Sequence, residues 1–136
     1  MPLTATDAQT FLEENFAAWV RALNLTVTEI TPTGAVLTMP ITQDLARVGG
    51  IISGQALAAM ADTSMVLACG GHFGEMKPVA TTNLDTQFLR PGTGDSIRCD
   101  AEIVRAGRAL IFARATMTPL PSGKPVATAN ATFFAP

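Results

Sequence analysis

Hydrophobic positions along the chain follow two spacings, one typical of helices and the other typical of strands. In segment 6–23 the apolar side chains recur at helical spacing, at Phe11, Leu12, Phe16, Trp19, Val20 and Leu23. Thr4 or Thr6 stands where an N-cap is expected, because a hydroxyl there accepts a hydrogen bond from the first turn. The pattern predicts one amphipathic helix that lies across the rest of the fold with its apolar stripe inward.

Six further segments carry the pattern of strands, two before the middle of the chain and four after it. The predicted strands span residues 25–31, 35–40, 79–89, 96–105, 109–118 and 125–134. The breaks between them are rich in glycine and proline, as in Pro32-Thr33-Gly34, and such residues are typical of turns. Because the last four strands follow one another closely, we expect them to form an antiparallel meander.

Residues 49–71, between the two groups of strands, predict a second helix of a different kind. Its centre is rich in alanine, leucine and methionine, which favour helices, and Gly70-Gly71 supplies a stop. Apolar residues occupy every face, so this helix must be covered on most sides. An antiparallel sheet of about six strands, curled around one central helix, covers it. The sequence therefore predicts an α+β fold and one domain over residues 1–136.

Asp62 is the only aspartate, glutamate, lysine or arginine between Val48 and Gly74, within the predicted central helix. A carboxylate without a partner in a core is costly and its pKa is raised, so it persists mainly where it is used. A structural role is the alternative, because an aspartate can also face a polar gap or cap a neighbouring backbone group. Asp62 is the first candidate for a catalytic residue.

The start of the same helix predicts a site for a negatively charged oxygen. Ser53 is a natural N-cap, and the N–H groups of Gly54 and Gln55 then lie at the positive end of the helix dipole. Gly54 also lets a substrate approach the backbone closely. An ordinary capped helix start, with no ligand, fits the same residues.

The composition narrows the classes of function. The chain has 136 residues, 48% of them apolar and 15% charged, with a formal net charge of −2. This balance argues against disorder and against a nucleic-acid partner held by a positive field. Cys69 and Cys99 lack metal-ligand spacing and His72 is the only histidine, so we expect core thiols, no metal site and no histidine triad. With no leader or membrane-spanning pattern, the expected location is cytoplasmic, with no membrane partner.

Three motifs carry a resemblance to a known family. They are Gly54 followed eight positions later by Asp62-Thr63, the segment 83–92 (NLDTQFLRPG) and the segment 104–108 (VRAGR). From about Ile30 to the C-terminus the chain resembles the hotdog-fold acyl-CoA thioesterases of the phenylacetate-pathway (PaaI-like) type. The resemblance implies a hotdog fold. It also implies hydrolysis of an acyl-CoA or aryl-CoA thioester to a free acid and coenzyme A, with no cofactor beyond the coenzyme A of the substrate.

The resemblance also implies a role for each site residue. The Gly54 N–H would bind the thioester oxygen, and Asp62 would activate water or attack directly. Thr81 stands where the family often has a Ser or Thr that helps to hold the water. Arg47 stands where it often has an Asn or Gln that orients the reactants.

The chain departs from the family at two places near the expected site. The usual His-Gly-Gly is Ser53-Gly54-Gln55 here, which keeps a backbone donor at Gly54 but changes the pocket, where Ser53 and Gln55 would contact substrate. Arg47 replaces an amide with a permanent charge. It could hold a carbonyl or carboxylate of the acyl group, or it could pair with Asp62 and weaken it.

The spacing of Gly54 and Asp62 predicts a site shared by two chains. Eight helical residues separate their backbones by about 12 Å, whereas an oxyanion donor and a base must both reach positions around one carbonyl carbon. Two antiparallel copies of the helix about a two-fold axis would place Gly54 of one chain beside Asp62 of the other. The resemblance also implies sheets joined edge to edge. We expect a homodimer at least, with a dimer of dimers left open.

Arginines near strand ends are candidates for binding the phosphates of coenzyme A. Arg90 follows one predicted strand, and Arg105 and Arg108 flank a turn; charge-assisted contacts of this kind suit phosphate. Solvated turn residues are the alternative for each. A second function stays open beside the thioesterase: a non-catalytic hotdog protein that binds acyl-CoA or serves as an assembly module.

Overall fold

The computed structural model describes residues 2–136, in which a six-stranded antiparallel sheet packs against one long helix. The helices are α1 (Ala5–Asn15), α2 (Ala18–Arg21) and α3 (Gly54–Phe73). The strands are β1 (Thr26–Thr31), β2 (Gly34–Pro40), β3 (Ala46–Arg47), β4 (Ile51–Ile52), β5 (Ala80–Phe88), β6 (Ser96–Ala106), β7 (Leu110–Leu120) and β8 (Ala127–Phe134). The large sheet has the order β1-β2-β6-β7-β8-β5, and β3 pairs only with β4. The predicted sheet around one central helix is confirmed.

Helix α3 is the centre of the core. Met60, Met65 and Leu67 are fully buried on it, and they belong to one apolar cluster with inward side chains of the sheet such as Met117 and Phe133. Alternate residues of β7 and β8 are buried, as expected for strands with one face on a helix. This burial fixes the rotation of α3, and so decides which way Asp62 points.

The two ends of α3 compare differently with the sequence prediction. Ser53 is the N-cap, as predicted, and its Oγ accepts a hydrogen bond from Ala56 N–H at 3.2 Å. The predicted stop at Gly70-Gly71 is wrong, because the helix continues to Phe73 and ends at Gly74, with φ 79°. A Cβ on Gly71 would lie 2.2 Å from the carbonyl oxygen of Thr31. Gly71 therefore serves close packing against β1, not termination.

The predicted single helix over residues 6–23 is also wrong, because the chain breaks into α1 and α2. Thr4 caps α1 with a reciprocal capping box to Asp7. Phe16 is extended (φ −85°, ψ 156°), which ends α1 and lets its ring meet Phe11 edge-on at 6.2 Å. The break rotates α2, so that Trp19 is 63% exposed and not part of an inward stripe.

The expected meander of the last four strands is wrong for β5. β6, β7 and β8 pair in sequence order, but β5 pairs with β8, and β6 pairs with β2. The connection from β5 to β6 is not a tight turn, because it crosses beneath the start of α3. Ile52 N–H donates to the Gly92 carbonyl there, at 3.0 Å. This crossing puts β5 at the edge of the sheet.

The two edges of the sheet differ. At the β1 edge the side chain of Gln9 acts as a substitute for a neighbouring strand: its Oε1 accepts from Val27 N–H at 2.7 Å and its Nε2 donates to the Leu25 carbonyl at 3.1 Å. Such covers prevent unwanted strand pairing. At the other edge, all residues of β5 except Thr86 are exposed. β5 is therefore the uncovered edge of the sheet.

Two further expectations concern the core and the surface. Cys69 and Cys99 are free and buried, as predicted, and burial raises the pKa of each thiol to about 12. Such thiols are inert packing residues at neutral pH. In residues 2–136, none of the helices has the length and apolar character needed to cross a membrane.

Candidate functional site

Asp62 lies on α3 with its carboxylate half-buried and held by one side chain. Thr81 Oγ1 donates a hydrogen bond to Asp62 Oδ1 at 2.9 Å. Burial raises the pKa of Asp62 above its ordinary value, and the hydrogen bond from Thr81 offsets part of that rise. A carboxylate with a raised pKa is a stronger base than an exposed one when it is ionised. Of the predicted catalytic residues, the structure brings Asp62 and Thr81 into direct contact.

A β-bulge near the start of β5 positions Thr81. The register between β5 and β8 shifts between Thr81 and Asn83, which leaves Thr82 as the extra residue. Thr82 Oγ1 donates to the Thr132 carbonyl at 3.1 Å and so fixes the bulge. Bulges redirect side chains and are frequent beside active sites. Thr81, opposite the buried Phe133, is thereby aimed at the α3 side of the sheet.

The contact between Thr81 and Asp62 predicts a change in the pH dependence of activity. Thr81→Val removes the hydrogen bond that lowers the pKa of Asp62, so that pKa rises further. A protonated carboxyl cannot accept a proton, and we expect the acid limb of kcat/KM against pH to move to higher pH. Thr81→Ser, which keeps the donor, should leave the limb in place. An unshifted limb in Thr81→Val would show that the hydrogen bond does not tune the carboxylate.

The start of α3 forms the second part of the site. Gly54 is the first residue of the helix, where a backbone N–H has no partner inside the helix. The ring of Phe88, at the end of β5, lies 3.3 Å from where a Cβ on Gly54 would be. Gly54 and Phe88 line an open cavity of about 350 Å³. Gln55 beside them is exposed, whereas the Ser53 hydroxyl is engaged in the cap.

Arg47 belongs to the Gly54 part of the site. It lies on β3, exposed, and lines the same cavity as Gly54 and Arg90. The ion pairs within residues 2–136 are Arg98–Asp100 and Arg114–Glu102, so within one chain Arg47 does not pair with Asp62. A guanidinium at this cavity can hold a carbonyl or an anion next to the first turn of α3.

The candidate phosphate-binding arginines lie at opposite ends of the sheet. Arg90 follows β5 at the Gly54 end, where its Nη1 donates to the Pro125 carbonyl. Arg105 and Arg108 flank the turn between β6 and β7 and are exposed. In the register of the sheet, Ala106 opposes Ile111, Ile111 opposes Phe133, and Phe133 opposes Thr81. The Arg105–Arg108 turn therefore lies at the Thr81 end.

A cavity of about 420 Å³ adjoins Asp62. Its walls include Phe11, Phe16 and Trp19 from the N-terminal helices and Val66 from α3. The hydrophobic spacing does not predict this cavity, because it places these aromatic residues in one buried stripe. The extended conformation of Phe16 between α1 and α2 creates the opening, and the sequence signals such a break only weakly.

Comparisons with known proteins agree with this architecture. A family model described as the acyl-CoA thioesterase N-terminal domain matches residues 37–134. A provisionally named esterase of Thermoplasma acidophilum is 30% identical over 99 residues, which are 69% of this chain and 70% of that protein.

Two solved structures show the same fold. The Escherichia coli PaaI protein, from the phenylacetic acid degradation operon, has a TM-score of 0.81 and 22% identity over 97% of this chain and 93% of that one. Thioesterase superfamily member 2 of zebrafish has a TM-score of 0.84 and 20% identity over 98% of this chain and 99% of that one. At these identities the likeness concerns the fold, and it confirms the predicted hotdog architecture.

Proposed function

Since this chain belongs to the acyl-CoA thioesterase family and is a thioester hydrolase, we propose that it splits an acyl-CoA or aryl-CoA into a free acid and coenzyme A. Asp62 of one chain and the Gly54 N–H of a partner chain supply the chemistry. Family membership favours this enzyme over the non-catalytic alternative. The observation that carries the proposal is that both ends of one edge strand meet the two parts of the site, Thr81 at Asp62 and Phe88 at Gly54.

Pairing β5 with β5 of a second copy would assemble the complete site. If the two strands pair antiparallel about a two-fold axis at Asp85, with Thr82 the extra residue of its bulge, Thr81 of one chain comes opposite Phe88 of the other on the same face of the sheet. Asp62, which contacts Thr81, then approaches Gly54 of the partner, which contacts Phe88. An isologous dimer of this kind contains two equal sites. Leu84 and Phe88, on the α3 side of β5, are 36% and 55% exposed in the single chain, and the partner would cover them.

The reaction then follows from the chemistry of the two groups. The carbonyl oxygen of the thioester accepts a hydrogen bond from Gly54 N–H at the positive end of α3. Asp62 takes a proton from a water molecule, held by Asp62 and Thr81, whose oxygen bonds to the carbonyl carbon. The carbon–sulfur bond breaks, and the coenzyme A thiolate leaves and receives the proton from Asp62. Arg47, beside Gly54, orients the carbonyl.

A second route uses the same residues. An oxygen of Asp62 bonds directly to the carbonyl carbon, the thiolate leaves, and water hydrolyses the resulting mixed anhydride. Single-turnover hydrolysis in heavy-oxygen water distinguishes the two routes. In the water route the heavy oxygen appears only in the released acid. If Asp62 attacks and water then adds to the Asp62 carboxyl carbon of the anhydride, the heavy oxygen stays in Asp62 and the acid leaves with an unlabelled oxygen of Asp62. Label in Asp62 therefore identifies direct attack.

The arginines complete the proposed substrate site. In a dimer joined at β5, Arg90 of one chain lies at the same end as Arg105 and Arg108 of the other. β6 stands three strand spacings from β5 of its own chain and four from β5 of the partner, about 19 Å at the usual strand spacing. Charged groups spread over such a span suit the separated phosphates of coenzyme A. The substrate brings the coenzyme A, and the proposed chemistry needs no further cofactor or metal.

The proposed function is tested by the release of free coenzyme A thiol from a panel of thioesters. We expect the purified protein to hydrolyse at least one of acetyl-CoA, hexanoyl-CoA and benzoyl-CoA, with kcat/KM above about 10⁴ M⁻¹s⁻¹ for its best substrate. N-acetylcysteamine thioesters of the same acids, which lack the phosphates, are the matched controls and should have higher KM values. Hydrolysis of the short thioesters with none of the CoA esters would overturn the assignment of coenzyme A.

A further inference from the structure

We propose that the cavity between the N-terminal helices and Asp62 binds the acyl group of the thioester, that this acyl group is apolar and uncharged, and that Trp19 limits its size. The inference rests on the proposed function, since it gives a substrate class to that same site. It concerns residues that none of the catalytic roles above uses.

The position of the cavity follows from the bonds of the substrate. A thioester carbonyl carbon is bonded to sulfur on one side and to the acyl group on the other. When this carbon lies between Asp62 and the partner's first turn of α3, the two substituents must leave in different directions. The Gly54 cavity carries Arg47 and Arg90, which suit the anionic coenzyme A. The cavity beside Asp62 is left for the acyl group.

The lining of this cavity selects an apolar group. Phe11, Phe16, Trp19, Val66 and Val79 contribute aromatic and aliphatic surface. A volume of about 420 Å³ lies within the range of small-molecule pockets. Aryl and medium-chain acyl groups would bury apolar surface against this lining, which favours their binding.

Charges at the same cavity disfavour an acyl group that ends in a carboxylate. Asp62 and Lys77 are the acidic and basic residues at its wall. The Lys77 ammonium lies over the ring of Phe73, 4.9 Å from the ring centre, and this contact already engages its charge. A second carboxylate beside the carboxylate of Asp62 would be repelled. Arg47 and Arg90 line the Gly54 cavity, so in the proposed dimer the partner's copies lie on the coenzyme A side of the carbonyl carbon and not on the acyl side.

Trp19 is the outer wall of the cavity. It is 63% exposed although it is the largest apolar side chain of the protein. An exposed tryptophan that borders an apolar cavity beside a catalytic candidate is explained by a ligand that covers it. Trp19 is also the only tryptophan, and the chain has no tyrosine, so the intrinsic fluorescence excited at long wavelength reports on this wall alone.

The first test measures binding without turnover. Hexanoyl-CoA and benzoyl-CoA are titrated into the Asp62→Asn protein while Trp19 emission is recorded, with free coenzyme A and succinyl-CoA as controls. We expect a saturable change with the two apolar esters, and at least about tenfold weaker responses with succinyl-CoA and free coenzyme A. Emission that is insensitive to all four, or equally sensitive to all four, would overturn the inference.

The second test measures selectivity. Trp19→Ala should lower kcat/KM at least about tenfold for the preferred apolar ester, mainly through KM, and shift the preference to longer acyl chains. Acetyl-CoA, too short to reach the wall, should be unaffected. Trp19→Phe should keep most of the selectivity. Phe112→Ala, which removes an exposed aromatic from β7, is the matched control and should behave as wild type.

The two tests separate the inference from the proposed function. If no thioester is hydrolysed but hexanoyl-CoA changes Trp19 emission selectively, the acyl cavity stands and the reaction is wrong. If thioesters are hydrolysed, but Trp19→Ala lowers kcat/KM equally for acetyl-CoA and hexanoyl-CoA, the reaction stands and the acyl cavity is wrong.

Discussion

Asp62→Asn is expected to lower kcat for thioester hydrolysis by about 10³-fold while KM stays near its wild-type value. Asparagine has the same shape and can still contact Thr81, but it cannot accept a proton from water or form a covalent bond to the acyl carbon. The change therefore removes both proposed catalytic routes and leaves the substrate-binding surfaces intact. Steady-state release of coenzyme A thiol, measured on the best substrate of the panel, gives both constants.

The stability of the same variant serves as its control. The pKa of Asp62 is raised in the folded chain, so protonated Asp62 favours folding. That contribution is fully present below the pKa that Asp62 has in the unfolded chain, and it is lost as the pH rises through the pKa that Asp62 has in the folded chain. Above the folded pKa of Asp62 the ionised, half-buried carboxylate lowers the stability of the folded chain, and asparagine removes this penalty. We expect Asp62→Asn to have a Tm at pH 8 at least as high as that of wild type.

Asp85→Asn is the matched substitution on the exposed side of β5. It should retain wild-type kcat, since Asp85 pairs in register with Asn130 on the outer face and does not approach α3. A kcat for Asp62→Asn within tenfold of wild type would exclude Asp62 as base or nucleophile. A folded, inactive Asp85→Asn would mean that loss of charge at the dimer edge, and not loss of the base, explains the result.

Gly54→Pro is expected to lower kcat by about 10²-fold to 10³-fold, because it deletes the one N–H that the account assigns to the oxyanion. Proline is tolerated at the first position of a helix, where the N–H has no partner in the helix. Ser53, with φ −69° and ψ 149°, already has the conformation that a residue before proline requires. The helix should therefore form normally, and the loss should appear in kcat.

Gly54→Ala separates the missing donor from steric effects. Its Cβ would meet the ring of Phe88 at 3.3 Å, as a proline Cβ would, but its N–H remains. Because Phe88 is 55% exposed, its ring can shift by the few tenths of an ångström required. We expect Gly54→Ala to keep kcat within about tenfold of wild type. Equal losses in the two variants would mean that the space at Gly54 matters and the N–H does not.

The sequence predicts those features of the fold that depend on local chemistry. The Ser53 cap follows from a hydroxyl before a run of helix-forming residues, and the burial of α3 follows from apolar side chains on all its faces. The features it does not predict depend on contacts distant in sequence. β5 pairs with β8, not with β6, because the connection after Phe88 is held beneath the start of α3 through Gly92. No turn residue reports that contact.

The residues of the candidate site also divide into those that the sequence reveals and those whose role depends on contacts distant in sequence. Asp62 stands out in the sequence as a lone charge in an apolar segment, and Gly54 as the first residue of its helix. The role of Thr81 came from the family resemblance, because the bulge at Thr82 that aims it depends on the Thr132 carbonyl, fifty residues away. The aromatic cavity was missed because α1 and α2 share one hydrophobic spacing, and only the extended conformation of Phe16 divides them.

The central claim is that each site combines Asp62 of one chain with Gly54 of another, and mixing two inactive variants tests it directly. Asp62→Asn and Gly54→Pro chains, carrying different affinity tags, are co-expressed and the doubly tagged heterodimer is purified. Each heterodimer would hold one intact site and one doubly altered site, so the account predicts about half of the wild-type dimer activity. Heterodimers that form but remain as inactive as either parent would contradict it.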